Sequence, residues 1–231
     1  MSELLYFAEH RLQEVALAFL DIAYILRIIW LFKFKAAKDL QAQTGPPGAT
    51  PGKGVIYSWA NIAMPWAMES ARNKFGFYLQ FVVFHLGVAT SIALSFIIPY
   101  APGLLKNILP VIAMQVIIGA ALLVGCYRIY RRVSQPFLRA ISTPDDYFSL
   151  ILLNVWFAVA ILAAPNRPEQ GEAALLIYFL MTAFFLFYVP FSKIIHYLYY
   201  PFTNYYFGKT MGYRGVYPLK RSQKPNPIVH A

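Results

Sequence analysis

Residues 77–99 read FYLQFVVFHLGVATSIALSFIIP. The run holds no Asp, Glu, Lys or Arg. Its length matches the roughly 20 apolar residues that carry an α-helix across a bilayer. Pro99 ends it, with Pro102 and Gly103 close behind as turn formers. Four further stretches have the same character, near 14–33, 107–127, 147–164 and 173–198. Together they predict an all-α integral membrane bundle of five transmembrane helices over residues 1–208, followed by a tail over 209–231.

Composition supports that reading. Hydrophobic residues make up 59% of the chain and charged residues only 13%, where a soluble domain carries roughly a quarter charged residues. Mean hydropathy is +0.51. A surface this apolar must face lipid. The single cysteine, Cys126, excludes an internal disulfide and an iron–sulfur cluster ligated by this chain alone; it reads as a small buried apolar residue. The opening residues carry Glu3, Glu9 and Arg11 and lack the basic start of a signal peptide, so the first helix is expected to remain. No internal repeat is visible.

The formal net charge of +10 points to topology and lipid headgroups, because the basic residues crowd the ends of apolar runs. No nucleic-acid motif accompanies it. Lys33, Lys35, Lys38, Lys53, Arg72 and Lys74 flank or fill the first connection, and Arg128, Arg131, Arg132 and Arg139 lie near the third. Lys209, Arg214, Lys220, Arg221 and Lys224 lie in the tail. The opposite side has only Arg11, Lys106 and Arg167. The positive-inside rule therefore places the N-terminus outside and both basic connections and the C-terminus in the cytoplasm.

The connections are marked by breakers. Gly45–Gly48 and Pro51-Gly52 make the first irregular, Ser142-Thr143-Pro144-Asp145-Asp146 can cap the fourth helix, and Pro165 and Pro168 close it. Trp59–Lys74 reads as an amphipathic interfacial segment, and the aromatic run Tyr197–Tyr206 as an interfacial anchor or a docking surface.

Of four histidines, only His85 and His196 fall within or at the end of a predicted helix. Ionisable groups inside a membrane are costly and mark function. His85 lies about 12 Å from the inner end of its helix, and His196 near the inner end of the last. Two neutral imidazoles at similar depth can be the axial ligands of a low-spin haem; the competing reading is a pair of structural histidines. Gly87 would let a macrocycle approach the backbone, Pro190 can kink the last helix, and Phe81, Phe84, Phe187 and Tyr197 could pack on a porphyrin.

These residues carry a family likeness. Phe84-His85-Leu86-Gly87 resembles the Phe-His-Ile-Gly on the second helix of the respiratory nitrate reductase gamma subunit family. Val189-Pro190-Phe191-Ser192-Lys193-Ile194-Ile195-His196 is similar to its Pro-Phe-Ser-Arg-Leu-Val-His. That family includes cytochrome b subunits paired with heterodisulfide-reductase-like iron–sulfur proteins. The resemblance implies haem b held by His85 and His196, a quinone or quinol as exchangeable ligand and a cytoplasmic iron–sulfur partner that carries the substrate chemistry. It also implies residence in a prokaryotic cytoplasmic membrane. Two-haem members carry further histidines where this chain has Ser95 and Tyr178, so one haem is expected here.

Other polar residues are open to two readings each. Arg27 can bind a haem propionate or snorkel to the inner headgroups. Asp21 can take quinol protons or hydrogen-bond a neighbouring helix, and His10 can join a proton path or sit on the surface. Gln80 and Asn154 read as interhelical hydrogen-bond groups. The expectation is thus an electron-transfer subunit between the quinone pool and an iron–sulfur oxidoreductase. The alternative is a non-redox membrane anchor or assembly subunit. A transporter is a weaker reading, because the inverted repeats of such folds are missing.

Overall fold

The computed structural model describes residues 2–35, 44–67 and 69–218. The described residues form helices and turns, with no strand among them. In chain order the helices are α1 (Glu3–Lys33), α2 (Pro51–Ala60), α3 (Glu69–Asn73), α4 (Phe75–Tyr100), α5 (Ile108–Ser134), α6 (Pro136–Ala140), α7 (Pro144–Ala163), α8 (Ala173–Tyr188) and α9 (His196–Tyr213). Five segments, namely α1, α4, α5, α7 and α8 with its next turn to Phe191, are long and apolar enough to cross a membrane. The chain is a multi-pass, all-α membrane protein.

Two compact units emerge. The first comprises Met1–Phe34 and Gly76–Ile195, and the second Lys35–Phe75 and His196–Ala231. Within the first, α5 packs on α7, α1 on α8, and α7 on α8. Phe84, Leu94, Ile118, Trp156, Phe157, Tyr178 and Phe179 form its buried centre. Lipid tails are as apolar as leucine, so burial alone does not hold such helices together; close backbone approach and interhelical hydrogen bonds do. Both are present. A Cβ on Gly87 would stand 2.1 Å from that of Ala121, and one on Gly125 would stand 2.2 Å from Oδ1 of Asn154. Gln115 donates to the Ile161 carbonyl at 2.9 Å, and the Trp156 indole donates to Thr182 at 2.9 Å.

The second unit pairs α2 with α9. The crossing is tight enough that a Cβ on Gly54 would lie 2.2 Å from the Gly208 carbonyl oxygen. Ser58 donates to Asn204 at 2.9 Å, and the Trp59 indole donates to the Pro201 carbonyl at 2.9 Å.

Several boundaries differ from the sequence reading. The first span begins at Glu3 rather than near 14, because Ser2 caps it by accepting from the Leu5 amide at 3.2 Å. A π turn at Phe7–Arg11 carries the polar residues that lowered the local hydropathy. Trp59–Lys74 is broken between the end of α2, a 3₁₀ turn at Asn61–Ala63 and α3. The last span stops short of 198, and α9 runs unbroken through position 208. Residues 219–231, with Lys220, Arg221, Lys224 and His230, lie outside the described residues, as does Lys38.

Candidate functional site

His85 is exposed on α4, with its Nδ1 2.8 Å from the Phe81 carbonyl oxygen one turn earlier. A carbonyl can only accept, so Nδ1 carries the proton and Nε2 carries the lone pair. Metal-ligating histidines are commonly oriented in this way, by an N–H bond from the other ring nitrogen. The Phe81 ring lies 4.2 Å away between centroids, and Phe84 6.1 Å away, edge-on. Phe84 is buried, and its own ring meets Phe157 at 5.5 Å. Across from it stands Arg128 of α5, its guanidinium carbon 4.6 Å from the Phe84 centroid. Sequence reading passed Arg128 over as one of a run of inner arginines; its position within α5 rather than after it was the available signal.

Gly87 is buried against α5, in the space described above. The gap left by its missing side chain is taken by Ala121, which gives Gly87 a role in helix packing.

His196 opens α9 in the second unit, exposed, with Tyr197 at 6.4 Å. It does not sit inside a kinked last span as expected. Pro190, fully buried, lacks an N–H and ends α8 outright: a 3₁₀ turn follows at Val189–Phe191 and another at Lys193–Ile195. Side chains from elsewhere hold this exit. Asp146 accepts from the Thr143 amide at 2.8 Å, and Lys193 Nζ reaches it at 2.9 Å. Arg132 Nη1 lies 3.8 Å from the same carboxylate. Tyr188 donates to Asp145, whose other oxygen accepts from the Lys193 amide at 3.2 Å. Ser192 Oγ accepts from the Ile194 amide at 3.2 Å. The Pro-Phe-Ser-Lys stretch before His196 is therefore a helix stop latched onto the start of α7.

Arg27 is half-buried, its guanidinium carbon 5.9 Å from the Phe191 ring, near the cytoplasmic end expected for α8. Asp21 is exposed on α1. His10 lies beside Tyr6 at 4.6 Å and Tyr100 at 6.2 Å. Asn154 donates to Leu150 in its own helix at 2.7 Å and accepts from Cys126 of α5 at 3.9 Å; Cys126, expected to be buried, is exposed. Another interhelical amide was not singled out from sequence. Gln13 donates to Ala8 at 2.9 Å and to Phe179 of α8 at 2.8 Å.

Tyr178 is fully buried and donates to the Ser91 carbonyl, tying α8 directly to α4. Its ring lies parallel to Trp156 at 6.2 Å. Ser95 donates to Ile92 in its own helix at 2.7 Å.

No family model, curated protein or solved structure matches the chain. The likeness at residues 84–87 and 189–196 thus rests on those residues themselves.

Proposed function

We propose that this chain is a membrane-anchoring b-type cytochrome subunit of a prokaryotic cytoplasmic membrane, with His85 and His196 as the axial ligands of one haem b. It exchanges electrons between the quinone pool and a cytoplasmic iron–sulfur oxidoreductase subunit. The observation that carries the reading is His85: an imidazole on a spanning helix whose Nδ1–H is committed to the Phe81 carbonyl, the second-nitrogen bond by which ligating histidines are commonly oriented. Within the first unit, an imidazole and two half-buried guanidinium groups are the chemistry that a haem iron and its propionates take.

Bound there, haem supplies a one-electron centre. The chain's own residues supply the rest. Arg128 and Arg27 offer guanidinium groups to carboxylates, a match that is bidentate by geometry. Phe81 and Phe84 surround the His85 ring with apolar surface. The Asp145–Asp146 latch fixes where α8 ends, in the turns that precede His196 in the chain. The direct Tyr178–Ser91 bond supports one haem rather than two, since two-haem relatives need a macrocycle at that level. The basic residues expected on the inner side suit docking of the iron–sulfur partner, to which the substrate chemistry belongs.

The test is a dithionite-reduced minus oxidised spectrum of the purified chain. The expected result is the sharp alpha band of bis-histidine haem b, lost in His85→Ala and in His196→Ala while helical content is kept. A chain purified with its partners and lacking any such band would instead favour the non-redox anchor.

A further inference from the structure

Lys106 and Arg167, two of the three basic residues expected on the outer side, line a single cavity of about 760 Å³. It lies within the first unit, between the Pro102–Lys106 turn, the start of α5 and the turn joining α7 to α8. The volume falls in the range of small-ligand pockets. The two cations are exposed and stand in the turns that line it, and neither pairs with a carboxylate among the described residues. Buried Val111 and Leu105 form its apolar wall. Leu162, 68% exposed on α7, carries that wall out to the lipid-facing surface of the bundle. Gln115, which also lines the cavity, sits two turns into α5, about 10 Å below Ile108.

Two cations without a carboxylate partner among the described residues, beside an apolar wall that reaches exposed Leu162, match an amphiphile with an anionic head and a hydrocarbon tail. A neutral quinone ring gives the cations no counter-charge, and a soluble anion leaves the apolar wall uncovered. We infer that this cavity binds an anionic phospholipid, its phosphate against Lys106 and Arg167 and an acyl chain along Val111 and Leu162. The site is separate from the histidines and stands whether or not haem is bound.

The experiment titrates the detergent-solubilised full chain with phosphatidylglycerol, phosphatidylcholine, inorganic phosphate and a short-chain quinone, with thermal unfolding as readout. Phosphatidylglycerol is expected to raise the unfolding temperature. In the Lys106→Gln/Arg167→Gln double variant its half-saturating concentration should rise by about tenfold or more. The charge-keeping Lys106→Arg/Arg167→Lys pair should retain the effect, which separates loss of charge from loss of fold. Equal protection by phosphatidylcholine, equal protection by inorganic phosphate, competition by the quinone, or no shift with phosphatidylglycerol would each overturn the inference.

Discussion

Tyr178 shows what a single hydroxyl does in this molecule. Its phenol is wholly buried and its proton goes to the Ser91 carbonyl, so α4 and α8 meet through one hydrogen bond away from water. Tyr178→Phe removes this cross-helix donor, while the carbonyl keeps the amide one turn on in α4. It should cost about 0.5–1.5 kcal/mol, read as a lower unfolding temperature in detergent, with haem content unchanged. Loss of haem without loss of stability would show that this contact does more than pack the helices. Gln13 is a parallel case, since its amide spans the π turn and Phe179. The histidines were legible in the sequence because an ionisable side chain stands out in an apolar run, and the bond from His85 to the carbonyl four residues back is local to the helix. The partners of Tyr178 and Gln13 were not legible. They lie 87 and 166 residues away, and no local pattern encodes such a pairing.

Helices in this chain are placed by what their glycines admit. At Gly87 the obstacle to a side chain is the Ala121 methyl, whereas at Gly54 it is the backbone oxygen of Gly208. These predict different outcomes. Gly87→Ala should destabilise by about 1–3 kcal/mol, and Ala121→Gly added to it should restore much of the loss. Gly54→Ala has no such rescue by trimming a side chain, and should loosen the pairing of α2 with α9. Thermal unfolding of the single and double variants checks both; equal, unrescued losses at the two sites would contradict the packing described. Pro190 acts at the same scale. Pro190→Ala should let α8 run on past Tyr188 and carry a helical phase through to His196, lowering haem occupancy with both proposed ligands intact. The spans themselves were plain from hydropathy. The end of α8 was not, because hydropathy continues past it and the stop is completed by Asp145, Asp146 and Arg132 from other helices.

Over the molecule as a whole, charge governs orientation. Fifteen basic residues on one side against three on the other predict that Arg139 faces the cytoplasm and Asn107 the exterior. With Cys126 replaced by Ser, a cysteine at position 107 should react with a membrane-impermeant maleimide in intact cells. A cysteine at position 139 should react only after lysis. The reverse pattern would invert the topology and put the proposed dock for an iron–sulfur partner in the wrong compartment. Fold class was open to the sequence because it depends on long apolar runs and breakers. The division into two units was not, since it joins residues 35–75 to the chain beyond His196 across the intervening spans.

The most direct test of the central claim is the haem-to-protein ratio of the purified chain, from haem extraction against amino-acid analysis. One haem b per chain is predicted, falling to none in His85→Ala and in His196→Ala. A ratio of zero or two in the unaltered chain, or one that survives either substitution, would contradict the account.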